Sequence, residues 1–567
     1  MSRRSRAARN SRLRAASIAR VARSIALPLL AALATGASFG ESLLDPTFGA
    51  GGIAAIPAND PVSVTTIGVL RDGSSIVAFY GANLSRLSPN GGYDASFGAR
   101  AGVLFAGGFT TAIAQDRNGR LIVANGTSLA RVADDGHLDT SFGTQGISSW
   151  NNAPLMEDPK CRGEARITSV EELPDGKLAL FGYTVTFDGF LARQACILLA
   201  RTDSSGRLDT TFAGSGATAA AVLDRASLTF GDVLPDGSMR AIGMAESNSP
   251  ATGTRSVVWT VDALGRPVSL VMGEPHGLQQ PDGSSVELLL QDADTATQKV
   301  GLRVRKVDGS VDTAFGNGGE SAQIATNARF YFVRRLPDGG VVALGYRWDL
   351  LDPSNTNITY RIEACAWRFD GRAAGCEVPP SMDSSFSAFL APGGSLYVAS
   401  KRANGAPGAA AARFNVTAPN VEFFNTLLKH YFVTYDGQEA RGIDNGGAGE
   451  GWVRTGQSTF KTGGTTPVCR FYGTPGIGSN SHFFTVSADE CELVKRDVGW
   501  TYEGIGFYAT PAVNGQCAAG LQPVYRLYNQ RGNQRDSNHR HITDLSLVPA
   551  MQAQGWAYEG VALCAPG

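Results

Sequence analysis

One six-residue phrase recurs along the first two-thirds of the chain and limits its fold more than any bulk property does. It stands as Leu44-Asp45-Pro46-Thr47-Phe48-Gly49, Tyr93-Asp94-Ala95-Ser96-Phe97-Gly98, Leu138-Asp139-Thr140-Ser141-Phe142-Gly143, Leu208-Asp209-Thr210-Thr211-Phe212 and Val311-Asp312-Thr313-Ala314-Phe315-Gly316. Weaker echoes stand at Val261-Asp262 and Phe369-Asp370, giving units of about 45 to 70 residues. A second punctuator keeps step: Asp72-Gly73, Asn118-Gly119, Asp175-Gly176, Asp236-Gly237, Asp282-Gly283, Asp338-Gly339 and Gly393-Gly394. Such pairs predict type I′ hairpin turns, in which both central residues take positive φ. Each is followed by a short apolar run such as Val341-Val342-Ala343-Leu344, and no convincing helical period interrupts the region.

Each unit therefore reads as four short strands, and the array as a mainly β protein built on a seven-bladed β-propeller. The last unit lacks its phrase and final strand, whereas the chain holds an orphan phrase and strand over 44–56. The expectation is that this N-terminal strand completes the seventh blade, replacing an open edge with ladder hydrogen bonds. These phrases resemble the delta-60 repeat family over about 43–415. That resemblance implies a secreted bacterial propeller and says little about chemistry.

The composition changes at 406–420, where an Ala/Gly/Pro stretch leads into aromatic-rich sequence. A threefold repeat follows. Its copies are marked by Val421-Glu422-Phe423-Phe424-Asn425, Cys469-Arg470-Phe471-Tyr472-Gly473 and Val524-Tyr525-Arg526-Leu527-Tyr528-Asn529. Each marker is followed by a His signature (His430, His482, His539) and a Gly-Trp signature (Trp452, Trp500, Trp556). Ser487 followed by acids reads as a helix start between the two signatures. The region 421–564 resembles domain-of-unknown-function family 5648, which recurs at the ends of secreted bacterial proteins. Three copies predict a pseudo-threefold β-rich domain of trefoil-like form. The domain reading is thus a secretory signal at 1–40, a propeller at 41–416 and the repeat module at 417–567.

The signal rests on an acid-free, arginine-rich start followed by the apolar run Ser24–Ala34, too short to span a membrane. The chain carries a net charge of -1, and the eight arginines among its first 24 residues leave about -9 for the rest. An acidic body argues against nucleic acid as a partner. The expected localisation is secreted, extracellular or periplasmic. In that setting eight cysteines without a C-x-x-C predict disulfides. Proximity suggests Cys161–Cys196, Cys365–Cys376, Cys469–Cys491 and Cys517–Cys564.

Chemistry-bearing motifs are sparse. The repeated phrase supplies one acid per unit, whereas calcium needs several converging oxygens, so each Asp reads as a turn cap. His430, His482 and His539, taken as matching positions, suit a repeated structural hydrogen bond better than a metal centre. The glycine run Gly446–Gly451 lacks the Lys-Ser/Thr of a phosphate loop. There is no H-E-x-x-H. No catalytic residue, cofactor or metal is therefore assigned. Trp500, Tyr502, Glu503, Trp556, Tyr558 and Glu559 are the candidate ligand-binding residues, as aromatic platforms with carboxylates for sugar hydroxyls. The competing reading packs these aromatics in the core. The functional expectation is a non-enzymatic binding or scaffold protein, with the C-terminal module on a glycan. Alternatives are a hydrolase acting from the propeller channel and a propeller face that meets a protein partner.

Overall fold

The Leu-Asp phrase turns out to be a staple between neighbouring sheets. In the computed structural model, which describes residues 42–566 apart from 58–62, 81–82, 98–104, 106–109, 152–157, 189–190, 223–224, 247–253, 274–276, 294–297, 351–357, 404–405 and 519–520, the phrase Asp closes an Asx turn. Asp209 Oδ1 accepts from Thr211 N and Oγ1 at 3.1 and 2.6 Å, and Asp139 holds Ser141 in the same way. The other carboxylate oxygen takes an arginine from the preceding strand: Arg131 on Asp139 at 2.7 Å, Arg201 on Asp209 at 2.8 Å. That guanidinium lies over the phrase Phe and donates to a carbonyl of the next sheet, Ser204 O for Arg131 and Ala263 O for Arg201. Backbone bonds reinforce the link, as Gly143 N donates to Ser205 O and Ala213 N to Leu264 O. The Asp is thus a cap and an ion-pair partner, as its solitary acid implied. The expected signal segment, 1–40, lies outside the described residues.

Among the described residues seven four-stranded antiparallel sheets follow one another, starting with Val64–Val69, Ala112–Gln115, Glu164–Glu172, Arg225–Val233, Leu278–Gln279, Arg329–Arg335 and Met382–Leu390. The seventh takes its fourth strand from the N-terminus, with Ile53 opposite Ala412 and Ile56 opposite Ala409. Middle strands such as Ser75–Phe79 and Ala409–Asn415 are buried along their whole length, because each sheet is sandwiched between two others. Apolar clusters join the sheets pairwise, for example Ile76 with Val123, Phe181 with Trp259, Leu344 with Val398, and Ala411 with Ile67. Between the fourth and fifth sheets Arg240 donates to Pro281 O at 2.7 Å. The sequence of contacts returns to its start, which is the arrangement of a β-propeller.

Two expectations need correction. The Asp-Gly turns are not type I′: Gly73, Gly176 and Gly237 have φ near +84°, but no Asp of these pairs has positive φ. Gly73 N donates to Leu70 O and Leu70 N to Ser74 O, a type I turn closed by a glycine bulge, with Asp72 Oδ1 accepting from Ser74 N. Asp262 and Asp370 are also not phrase residues. Asp262 Oδ1 accepts from Leu264 N and Arg266 N, and Asp370 Oδ1 from Arg372 N, inside the hairpin between third and fourth strands. The phrase proper is absent from the fourth and sixth sheets because those echoes are turn caps of another kind.

The four expected disulfides are present as paired by proximity. No described helix is long and apolar enough to cross a membrane.

The C-terminal module is three three-stranded sheets, each with its first strand in the middle. Their central strands are Val421–Asn425, Thr466–Gly473 and Gln522–Tyr528. A helix follows the second strand of every copy: α1 Gly437–Asp444, α2 Ala488–Val494 and α3 Val548–Ala553. Ser487 caps α2 by accepting from Glu490 N, as expected. A trefoil is built from hairpins alone, so the helices overturn the trefoil-like expectation. The module is seated on the turns of the propeller. The buried Asp338 carboxylate accepts from Ala418 N at 2.5 Å, Arg368 donates to Val416 O, and Thr465 donates to Leu70 O. Arg441 of α1 lies over Phe369 and donates to Ala314 O.

Candidate functional site: a cavity between two repeat copies

Strand register fixes which residues of the three copies are equivalent. Tyr431, His482 and His539 stand opposite Phe424, Tyr472 and Tyr528 in their sheets. His430 therefore aligns with Ser481 and Asn538, one residue earlier, and the three histidines are not a matched set. His430 is buried, with Nδ1 3.0 Å from Asn480 O and Nε2 2.6 Å from Asp536 Oδ1. Among the described residues no three of the histidines and acids of this module converge as metal ligands.

The copies interlock in a ring. Phe432 of the first packs on His482 of the second with centroids 4.6 Å apart, and Phe483 packs on His539 of the third at 5.0 Å. Arg540 closes the circle over Tyr431 at 4.0 Å. At the first junction Arg470 binds both oxygens of Glu439, on α1, and Glu503 at 2.7 Å. At the second, Arg526 binds Glu490 and Glu559 in the same pattern. The third junction exchanges the charges: Glu422 stands where the other copies have arginine, and Arg540 reaches it. Thr455 then replaces the Glu of the Gly-Trp signature and donates to Glu422 at 2.6 Å, avoiding a clash of carboxylates.

A cavity of about 500 Å³ opens at the first junction. The first copy lines it with Tyr431, Phe432 and Trp452, and the second with Tyr472, His482, Asn480 and Glu503. Ala448 and Glu450 come from the glycine run, which here forms a wall rather than a phosphate loop. Gly446, Gly449 and Gly451 have φ of 82°, 89° and 91°, so the loop follows a path that side chains disfavour. Asn425 pins its end: Nδ2 donates to Glu450 O at 3.0 Å, while Oδ1 accepts from Leu427 N and Leu428 N. Tyr472 Oη donates to Asn480 Oδ1. His482 Nε2 lies 3.2 Å from Glu503. This contact first, and then the Arg470 guanidinium, hold the Glu503 carboxyl down to about 2 against the opposing effect of burial.

Of the six ligand-binding candidates Glu503 lines this cavity, as do Trp452, His430 and His482 of the repeat signatures. Trp556 is buried against Met551 and Leu527, and half-buried Trp500 packs on Phe483. These two belong to the core, whose hydrophobic packing they supply. Tyr502 and Tyr558 are each 39% exposed, with Lys495 Nζ 4.5 Å from the Tyr502 ring. Glu559 is engaged by Arg526 and faces His539. Tyr431, Tyr472, Asn480 and Glu450 were not anticipated, since no motif links residues that meet only across a junction of copies.

Residues 410–566 match the family model described as domain of unknown function DUF5648. The match begins inside the last propeller strand, Ala409–Asn415, and covers the whole ring of three copies. Among solved structures the chain is similar to the WD40 β-propeller domain of Doa1, at 12% identity and a TM-score of 0.33, over 64% of this chain and 97% of that one. YCF48 bound to D1 peptide is similar at 12% identity and TM-score 0.35, over 67% and 99%. XC5397 from Xanthomonas campestris, described as a gluconolactonase, is similar at 12% identity and TM-score 0.27, over 64% and 97%. Comparison with curated proteins gave no match.

Proposed function

We propose that the protein is a secreted, non-enzymatic binding protein in which a seven-bladed propeller of the delta-60 kind carries a glycan receptor. The observation that supports this is the cavity at the first junction. It combines aromatic faces, Trp452 and Tyr472 above all, with amide and carboxylate groups held in place by their own hydrogen bonds. Sugar rings present apolar C–H faces and polar rims, and such a wall complements both. The scaffold suits the task, because staples such as Arg201–Asp209 make each sheet rigid against the next. The cavity replaces the platform expected around Trp500 and Trp556. A glycan array probed with the full-length oxidised protein tests the reading, with Ala448→Trp as a plug at the cavity wall. Selective binding by the native protein, lost on plugging, is the expected outcome; retained binding by the plugged variant would place the site elsewhere.

The catalytic alternative has one group in its favour. Burial first, and the neighbouring Asp232 charge as well, raise the Glu171 carboxyl above the usual range, although Val233 N donates to it. Asp232 is itself bound by Arg240 at 2.6 Å, so the two acids do not form a free acid–base pair. The binding reading is preferred.

A further inference from the structure

The charge around the cavity, taken together with the glycan reading on which this inference rests, names a class of sugar. Two carboxylates line the cavity, Glu450 and Glu503, and no lysine or arginine does. Arg470 stands behind Glu503, but its single positive charge is already shared between Glu503 and Glu439. Glu450 is different. It is exposed, its backbone carbonyl is held by Asn425, and its carboxylate has no partner among the described residues. Glu450 therefore brings an uncompensated charge to the cavity wall.

The aromatic wall has the same preference. The faces of Trp452 and Tyr472 carry the negative lobe of the ring quadrupole, which attracts a cation placed over them. Phe432 and Tyr431 are already covered by cations of the protein, Arg470 at 5.3 Å and Arg540 at 4.0 Å, so the repeat uses this contact elsewhere in its own ring. An acidic sugar would meet the unpaired Glu450 carboxylate and no lysine or arginine in the lining. A neutral sugar would leave the Glu450 charge unpaired. We propose that the cavity selects a glycan carrying a free ring amine, an amino sugar in its ammonium form, over its N-acetylated and uronic counterparts. The ammonium group pairs with Glu450 while the ring stacks between Trp452 and Tyr472.

Calorimetric titration of the full-length oxidised protein at pH 6 tests this, using a glucosamine oligomer, the N-acetylglucosamine oligomer of equal length and an oligouronate. The amine form is expected to bind about tenfold more tightly than the N-acetyl form, the scale of one charge-assisted contact plus one cation–ring contact. Glu450→Gln, an exposed and near-isosteric change, is expected to cut that preference by about threefold or more, since only the cation–ring contact then remains. Equal or tighter binding of the N-acetyl or uronic form overturns the amine selectivity and leaves the glycan reading standing. The same holds if the array yields a ligand but none of these three binds. No glycan binding at all by the folded protein overturns both.

Discussion

Arg540 and Glu422 form a bidentate ion pair, Nε and Nη2 each 3.0 Å from a carboxylate oxygen, across the junction of the third and first repeat copies. The side chains are 5% and 0% exposed, so this pair joins the ends of the module out of contact with water. It is the one junction where the charges are reversed relative to the other two. The reversal is supported locally by Thr455, and by Gln457 Oε1, which accepts from Arg540 at 3.0 Å.

Breaking the pair from one side is therefore expected to be costly. Arg540→Met leaves a carboxylate buried with only Thr455 beside it, and should lower unfolding stability by about 3–5 kcal/mol. The double change Arg540→Met with Glu422→Gln removes the stranded charge and should recover more than half of that loss. Denaturant unfolding of the two variants, followed by the near-ultraviolet signal of the module, checks the order.

The buried histidines give the module an acid limit. Burial, the first cause, and then the Arg526 charge hold His541 and His539 down to about 3. The unfolded chain binds these protons near pH 6.5, so between about 6.5 and 3 the unfolded state carries more protons and stability falls as pH falls. The slope is about 1.4 kcal/mol per pH unit for each histidine over that window. His541→Phe, a change toward the Val433 and Phe484 of the equivalent positions, should about halve it, because His539 keeps its share. Melting temperatures of native and variant protein from pH 7 to 4.5 measure this. Equal slopes would remove His541 from the account.

Ring closure depends on a staple that joins the two ends of the propeller. Arg413 binds Asp45 at 2.7 Å, donates to Thr47 and Pro89 O, and stacks on Phe48. Arg413→Met should cost about 3–5 kcal/mol, since Asp45 is 1% exposed and keeps no other cation among the described residues. Arg372, paired with Asp370 at the surface, serves as control, and Arg372→Met should stay within about 0.5 kcal/mol. Hydrogen exchange in Ala409–Asn415 should rise in the first variant and not in the second.

What the sequence reveals follows the range of the interactions. Asp209 caps its own turn two residues on, so its role is legible from one phrase. The N-terminal strand is legible because a missing strand at one end matches an orphan at the other. Asp262 is misread because an acid before a glycine turn looks the same in either hairpin of a sheet. His430 is misread because the copies differ in the length of the loop before the second strand, which only register reveals. The arginines of the staples sit one strand before their acids, and the cavity draws on two copies and a loop, so neither leaves a contiguous mark. Short helices such as Val548–Ala553 carry too few turns for a clear period.

The central claim is that ligand is held between Trp452 and Tyr472 rather than on the outer aromatics. Titrating the best array ligand into Tyr472→Ala and Tyr502→Ala separates the two surfaces, because Tyr472 lines the cavity and the 39% exposed Tyr502 does not. The account predicts at least about a tenfold loss of affinity in the first variant, the value of one stacking ring, and no change in the second. A loss confined to Tyr502→Ala, or full affinity in both, would contradict it.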